Sequence, residues 1–514
     1  MHIVQYAILI GLTAAGSAAP LLTFVHLWQV KEWRLDRLRE HLRAEGFFRQ
    51  LFGIVRPVAA FSFLLLALGT KLDIQILTTI LLGIFAAIAG IQMTLRKQPK
   101  PVWTAKARVL VAATVLLTIG IALLATVRGN PAILPAVVLL QPAVLALTWV
   151  LFLPVDTVLK YRIFRRAIRL RSSLRDMTVI GITGSAGKTT TKELLAHVLE
   201  QHSPLTTPTH MNTEVGVAQW LVRELRKEGE TPSILIVEMG AYRMGEIALL
   251  CSIVQPTIGV VTYVGSQHIA LFGSQEALCR AKGELIAMLP GTGHAFLNAD
   301  NARCSALAAR ARCPVTTVGT GGRADIEAFE VEETTCGIRF RVENTTYDVP
   351  IHGTHNVTNV LLAIAVAQSL GRAPQEIALR LQSFKPPAHT FDVRTECDVT
   401  ILDDTHNASP ASFEAAIQWA RSQPAEQRVL LTSGLIELGE EQDRTHMELG
   451  TMAAPVFDRV IFLSGQSAKP FRRGFGREVE LLSGRTPPVP HSALLVCIGR
   501  MSEETVRRLL PPNA

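Results

Sequence analysis

Five apolar runs within the first 153 residues constrain this chain more than any other feature. Ile3–Val30, Pro57–Thr70, Ile74–Leu95, Val109–Val127 and Ala132–Leu153 each approach or exceed the ~20 residues that a helix needs to cross a hydrocarbon core of about 30 Å. Pro57–Thr70 is the shortest. The first run lacks a basic leader and is longer than the ~7–15 apolar residues of a cleaved signal, so it reads as a retained anchor. A chain of 514 residues whose apolar stretches stop at Leu153 has a membrane part and a separate soluble part.

Basic residues fix the expected orientation, because Lys and Arg are retained on the cytoplasmic side. They crowd the first connection (Lys31, Arg34, Arg37, Arg39, Arg43, Arg49, Arg56), the third (Arg96, Lys97, Lys100, Lys106, Arg108) and Lys160 to Arg175. The alternate connections hold little beyond Lys71 and Arg128. This predicts a multi-pass protein of the cytoplasmic membrane, with its N-terminus outside and everything after Leu153 in the cytosol. The net charge of +8 then reflects topology and anionic membrane lipid, and no nucleic-acid motif accompanies it. Seven scattered cysteines without a C-x-x-C pair read as reduced structural thiols.

Residues 1–155 are expected to form the membrane domain and 156–175 a basic juxtamembrane linker. The segment Lys160–Arg175 reads as an amphipathic helix offering Ile163, Phe164, Ile168 and Leu170 to the membrane surface. After it, strands alternate with helices: Ser233–Glu238, Gly245–Cys251, Ile258–Tyr263, Ser274–Leu289, His294–Asn298, Asn301–Arg312. That alternation predicts an α/β fold with a parallel, doubly wound sheet. Short antiparallel strands turning at Cys336–Gly337 follow, then helix Asn356–Leu370. Pro386–Pro387 marks a hinge, so a central domain over 176–388 and a smaller C-terminal α/β domain over 389–514 are expected.

The strongest chemical signal is Gly184-Ser185-Ala186-Gly187-Lys188-Thr189-Thr190, which follows the apolar strand MTVIGITG and opens a helix. Such a loop turns backbone N–H groups and a helix N-terminus toward phosphate. Lys188 adds a point charge and Thr189 a hydroxyl for Mg²⁺, which makes ATP the expected cofactor. The usual G-x-x-x-x-G-K-[ST] needs glycine at 182, where Ile182 stands.

Further motifs follow in order: His210-Met211-Asn212-Thr213-Glu214-Val215-Gly216, Glu238-Met239-Gly240-Ala241 with Gly245-Glu246-Ile247, Val264-Gly265 through His268 to Gly273-Ser274, and Ala281-Lys282-Gly283-Glu284. Beyond them lie Gly353-Thr354-His355-Asn356 with Asn359, Asp403-Asp404-Thr405-His406-Asn407-Ala408, and Leu438-Gly439-Glu440 with His446. Over residues 176–465 this succession resembles the Mur ligases, in particular their D-alanyl-D-alanine-adding, MurF-type branch.

The resemblance implies an ATP-dependent carboxylate–amine ligase working through an acyl phosphate, with a Mur-ligase-like P-loop central domain and a Rossmann-like C-terminal domain. It implies two Mg²⁺ ions held by Thr189, Glu238, His268 and a carbamylated Lys282, with Lys188, Lys282 and His268 carrying catalysis. His355, Asn356, Asn359 and Asp404 would join residues 184–190 in holding the nucleotide, and Asn212, Thr213, Glu214 and Asn407 would meet the substrates. Those would be a UDP- or lipid-linked muramoyl peptide and a D-Ala-D-Ala-like amine.

Departures from the family are Tyr263 for an asparagine, His406 for a tyrosine, and His389-Thr390 for the Gly-Arg whose arginine contacts ATP phosphates; Arg394 is a candidate replacement. The family's UDP-gripping domain has no counterpart, and apolar spans stand in its place. Three rivals remain: a poly-γ-glutamate-type membrane ligase, a nucleotide-binding scaffold with weakened catalysis, and a transport ATPase. Leu463-Ser464-Gly465-Gln466 suggests the last, but it falls past the hinge.

Overall fold

The computed structural model describes residues 2–512, apart from 46, 69–72, 96–98, 210, 227–231, 266–268, 406–407, 436–437 and 439–440. The chain divides into two compact units, Met1–Tyr161 and Arg162–Ala514.

The first unit is helical: α1 (His2–Val30), α2 (Leu35–Glu45), α3 (Phe47–Phe52), α4 (Val55–Leu68), α5 (Ile74–Thr94), α6 (Ala105–Val127), α7 (Leu134–Leu139) and the first part of α8 (Gln141–Ser172). Of these, α1, α5, α6 and α8 are long and apolar enough to cross a membrane; α4, at 14 residues, falls short. Only a helix satisfies its backbone within itself in lipid. The buried hydroxyls of Thr13, Thr114, Thr118 and Thr148 follow the same logic, each donating to the carbonyl four residues earlier.

Side-chain bonds define the direction of each helix. Gln5 Nε2 donates to Gln75 Oε1 at 2.8 Å, joining the starts of α1 and α5. At the other end of α1, Gln29 exchanges two bonds with the backbone of Val102, just before α6, and Arg56 at the start of α4 donates to Gln92 near the end of α5. Lys106 of α6 pairs with Asp156 of α8 at 2.8 Å, and the Trp28 and Trp149 rings lie 4.8 Å apart. Thus α1, α5 and α8 run one way, α4 and α6 the other, and the basic connections gather at one end.

The second unit is α/β. Its larger sheet has the order β2-β3-β1-β4-β5-β6-β7, formed by β1 (Thr178–Thr183), β2 (Leu205–Thr206), β3 (Ile234–Glu238), β4 (Ile258–Val261), β5 (His294–Asn298), β6 (Val315–Gly319) and β7 (Ile326–Glu327). All pairs are parallel. The inner strands β3 and β4 are buried along their whole length, as expected for a sheet covered on both faces.

Helices α9 (Lys188–Val198), α10 (Glu214–Glu224), α11 (Glu246–Val254), α12 (Ile269–Phe272), α13 (Gln275–Ala287), α14 (Ala302–Ser305), α15 (Asn356–Ser369) and α16 (Pro374–Leu381) accompany it. A three-stranded antiparallel sheet, β8 (Phe329–Thr334), β9 (Gly337–Val342) and β10 (Thr345–Val349), precedes α15. The sequence run over β9 and β10 is broken by a turn at Glu343, which adopts φ 49°.

A second sheet has the order β11-β12-β16-β13-β14-β15, from β11 (Asp392–Glu396), β12 (Val399–Asp404), β13 (Arg428–Thr432), β14 (Arg459–Phe462), β15 (Glu480–Leu481) and β16 (Leu494–Ile498). Only β11 is antiparallel. Helices α17 (Pro410–Ser422) and α18 (Gln442–Ala453) flank it.

The end of α8 corrects one expectation. Ile163, Phe164, Ile168 and Leu174 pack against the core beside β1, β3 and α11, with Ala167 fully buried. Arg171 donates to the carbonyls of Val254, Leu174 and Met177 at 3.0, 2.6 and 3.2 Å. The apolar face of this amphipathic helix is therefore covered by protein, while Arg165, Arg166 and Arg169 remain exposed.

Candidate active site

The loop between β1 and α9 sits at the C-terminal edge of the sheet, where the strand order reverses and doubly wound sheets bind ligands. Two of its glycines are required by close approach. A Cβ on Gly184 (φ 153°) would collide with Thr262 Oγ1, and one on Gly187 (φ 79°) with the Asn359 side chain. The loop is braced by Ser185 N–H donating to the Tyr263 carbonyl at 2.6 Å and Gly265 N–H to Ser185 Oγ at 3.1 Å.

Residues 185–190 wall a cavity of ≈ 220 Å³ together with Asn212, Glu238, His355, Asn356, Asn359 and Asp404. Lys188 Nζ donates to the Gly184 carbonyl at 2.9 Å, bonds that phosphate oxygens can take over. Glu238 ends β3 with its carboxylate buried. Its Oε2 accepts from Thr189 Oγ1 at 2.9 Å and its Oε1 from Asn212 Nδ2 at 3.0 Å. Burial pushes this carboxyl up, but Lys188 and the two hydrogen bonds outweigh it and hold it below its ordinary value.

Lys282, on α13, is 2 % exposed. Burial, then Lys188, bring its amine down to about 7, against the pull of Glu246, Glu238 and Glu284. Its electrostatic neighbours thus include both arms of the candidate phosphate and metal site. Among the described residues no cluster of three His, Cys, Asp or Glu side chains is poised for a metal. Thr189 and Glu238 fit a hard divalent cation as oxygen donors. Lys282 fits only after losing its positive charge.

On the opposite wall, Asn356 Nδ2 donates to the His352 carbonyl at 2.8 Å and Asn359 Nδ2 to Asn356 Oδ1 at 2.8 Å, while the His355 ring meets Phe391 edge-on at 4.7 Å. Asp403 and Asp404 diverge. Asp403 Oδ2 accepts from Arg394 Nη1 at 2.6 Å and His389 Nδ1 at 2.9 Å. Asp404 is part of the cavity wall, its Oδ2 is buried and unpartnered, and burial pushes its carboxyl up to about 6. Arg394 is therefore held by Asp403, with Asp392 and Glu396 also nearby, and does not wall the cavity. The expectation that Arg394 replaces the phosphate arginine is corrected, and the residue that does wall the cavity there is Thr390.

Among residues singled out from sequence, Thr213 and Glu214 begin α10 without walling the cavity. His268 and Asn407 lie outside the described residues. His446 orders a loop: its Nε2 accepts from Leu435 N–H at 3.0 Å and its Nδ1 donates to the Gln442 carbonyl at 2.7 Å. Phe391 and Ser412, which wall the cavity, were missed because neither residue type signals a nucleotide by itself.

A P-loop set against a buried strand-end carboxylate, and faced by a second α/β sheet, defines a nucleotide-binding protein of the P-loop class. Residues 182–367 match the Mur ligase middle domain. Over 301 residues the chain is 35% identical to the UDP-N-acetylmuramoyl-tripeptide--D-alanyl-D-alanine ligase of Synechocystis, covering 58% of this chain and 63% of that protein. The Escherichia coli protein of the same name is 32% identical over 300 residues, 56% of this chain and 65% of its own. The chain thus spans less than two thirds of the length of these curated relatives.

Among solved structures, MurF from Acinetobacter baumannii superposes with a TM-score of 0.62 at 25% identity, covering 68% of this chain and 80% of that one. Thermotoga maritima MurF in complex with ADP gives 0.59 at 27%, covering 68% and 82%. The second unit is similar to the Mur ligases, with residues 182–367 matching their middle domain, and its fold is MurF-like.

Proposed function

We propose that this chain is a membrane-anchored, ATP-dependent ligase that joins the terminal carboxyl of a muramoyl tripeptide to the amine of D-alanyl-D-alanine in peptidoglycan precursor synthesis. One observation carries the reading: Lys188, Thr189, Glu238 and Asn212 line the same cavity as Asp404, whose Oδ2 is buried and unpartnered. This is room for a nucleotide with its phosphates on the loop and its ribose on Asp404. The acceptor carboxylate oxygen attacks the γ-phosphorus, the bond to ADP breaks, and the resulting acyl phosphate loses inorganic phosphate when the amine forms the amide.

Lys188 neutralises charge on the transferring phosphoryl group. Thr189 and Glu238 would hold Mg²⁺, which supplies further charge neutralisation. Lys282, with an amine near 7, is poised to take up CO₂ with loss of a proton; the carbamate would supply the missing anionic donor for a second Mg²⁺, with His268 as a further ligand.

The first unit is proposed to cross the cytoplasmic membrane with the N-terminus outside and the catalytic unit in the cytosol. In support, α1 and α5 run parallel, which requires α4 to bring the chain back, and the basic connections share one end. Confinement to that layer raises the encounter rate with a lipid-linked acceptor and does little for a UDP-linked one. The domain limits proposed remain 1–155, 156–175, 176–388 and 389–514.

The test is ADP release by the full-length protein in lipid nanodiscs. The reading requires release that depends on both D-Ala-D-Ala and a muramoyl tripeptide, UDP- or lipid-linked. A nucleotide-binding scaffold, favoured by Thr390 in place of the family arginine, would bind ATP and release no ADP under any combination.

A further inference from the structure

One turn along α9 from Lys188 stands a second lysine, Lys192, that the chemistry above does not use. It is fully buried, and its Nζ donates to the Thr207 carbonyl at 2.7 Å. Its ammonium also pairs with the half-buried Glu193 at 3.0 Å. Taking an ammonium out of water is costly, and a methionine of nearly the same length would fill the space without that cost.

Thr207, just beyond β2, is itself buried and is bonded on three sides. Its carbonyl accepts from Lys192, its N–H donates to the Ile236 carbonyl at 3.1 Å, and its Oγ1 accepts from the Glu238 N–H at 3.0 Å. The chain comes back to the same strand end at Asn212. There the Asn212 carbonyl accepts from the Gly240 N–H at 2.8 Å, and Nδ2 donates to Glu238 Oε1 at 3.0 Å. Through Thr207, then, Lys192 ties the helix that carries Lys188 and Thr189 to the backbone of the residue that supplies the carboxylate. Burial raises the Glu238 carboxyl, and of the charges that oppose it Lys188 acts first and Lys192 after it.

We propose that Lys192 is a positioning residue for the divalent cation: by holding Thr207 it sets where Glu238 lies relative to the first turn of α9, so that the carboxylate and the Thr189 hydroxyl reach one ion together. The proposal rests on the reading of Thr189 and Glu238 as Mg²⁺ donors. Lys192 does not wall the cavity, so it acts on the site from behind. Its two influences on the ion have opposite signs. A positive charge repels a cation, so its loss tightens Mg²⁺ binding, whereas the loss of a bond that orients a ligand loosens it. The geometry favours the second, because Nζ is bonded directly to the residue that receives the Glu238 N–H, while Glu193 offsets its charge.

The test is calorimetric titration of ADP into the full-length protein in nanodiscs over a series of Mg²⁺ concentrations, with the melting temperature of each variant recorded beside it. Lys192→Met should raise the Mg²⁺ concentration that half-restores ADP affinity by roughly 10-fold or more. Added to Glu238→Gln, it should move that concentration less than about 2-fold further, since both changes act through one carboxylate. Thr207→Val removes only the hydroxyl that receives the Glu238 N–H and should shift the requirement in the same direction; it decides the matter if Lys192→Met does not fold. A requirement left unchanged, whatever the melting temperature, overturns the proposal and makes Lys192 a brace of the fold. A lowered requirement overturns it too and leaves only a neighbouring charge, as does a wild type whose ADP affinity ignores Mg²⁺. Because binding alone is read, failure of the ligase reading, seen as no amine-dependent ADP release, leaves this comparison intact.

Discussion

Thr189 Oγ1 donates to Glu238 Oε2 at 2.9 Å, and that one bond ties the first turn of α9 to the end of β3. It holds the carboxylate against the hydroxyl that follows Lys188 in the loop. Glu238→Gln preserves the volume and much of the hydrogen bonding while removing the charge. It should lower the rate of ADP release on the order of 10²-fold and raise the Mg²⁺ concentration needed for half-maximal rate. A rate within a few fold of wild type would show that the carboxylate only braces the loop.

Lys282 is predicted to act as its CO₂ adduct. Its amine lies near 7 in the folded protein against 10.5 when free, so the neutral form that reacts with CO₂ is substantially populated at neutral pH. Lys282→Ala should be nearly inactive and partly rescued by acetate or another short carboxylate. The depressed value also sets a stability trend: the native state binds fewer protons, so stability from this group is full above 10.5 and is lost as pH falls through about 7. Lys282→Met should therefore flatten the pH dependence of stability between those limits.

Asp404 presents the opposite sign. Its carboxyl is raised from 3.8 to about 6 by burial, so the native state favours the protonated form, and that advantage, complete below 3.8, is lost as pH rises through about 6. Asp404→Asn should stabilise the nucleotide-free protein at pH 7.5 by about 1–3 kcal/mol, with no gain near pH 4. The same variant should bind ADP more weakly, because a carboxylate in the cavity wall is gone. Denaturant titrations at the two pH values and an ADP titration check both halves.

The end of α8 is predicted to be part of the soluble fold. A fragment beginning at Tyr161 keeps Ile163, Phe164, Ala167, Ile168 and Arg171 on the core, whereas one beginning at Met177 strips them off. The shorter fragment should melt at least about 5 °C lower, or fail to stay soluble. Equal melting temperatures would return that segment to the role of a tether.

Short-range patterns were legible in the sequence. The P-loop, the strand–helix alternation around it and the position of Glu238 at a strand end all follow from runs of adjacent residues, and the structure brings Lys188, Glu238 and Asn212 to one place. What was not legible depends on distant partners. Periodicity showed that Ile163, Phe164 and Ile168 share a face, but not that β1, β3 and α11 cover it. Arg394 is held by Asp403 because β11 pairs with β12, a strand pair with no sequence signal of its own. Leu494–Ile498 lies between β12 and β13 in the second sheet, yet its five buried residues read equally well as helix or strand. The short α4 shows the same limit: hydropathy alone gives a span, and only the direction of its neighbours says what its 14 residues must accomplish.

The measurement closest to the central claim follows oxygen. A muramoyl tripeptide labelled with ¹⁸O in its terminal carboxylate is incubated with ATP, Mg²⁺, D-Ala-D-Ala and the full-length protein, and the inorganic phosphate is analysed by mass spectrometry. The account predicts one labelled oxygen per phosphate released, amide product in equal amount, and neither with Lys188→Ala. Unlabelled phosphate, or phosphate formed without amide, would contradict it.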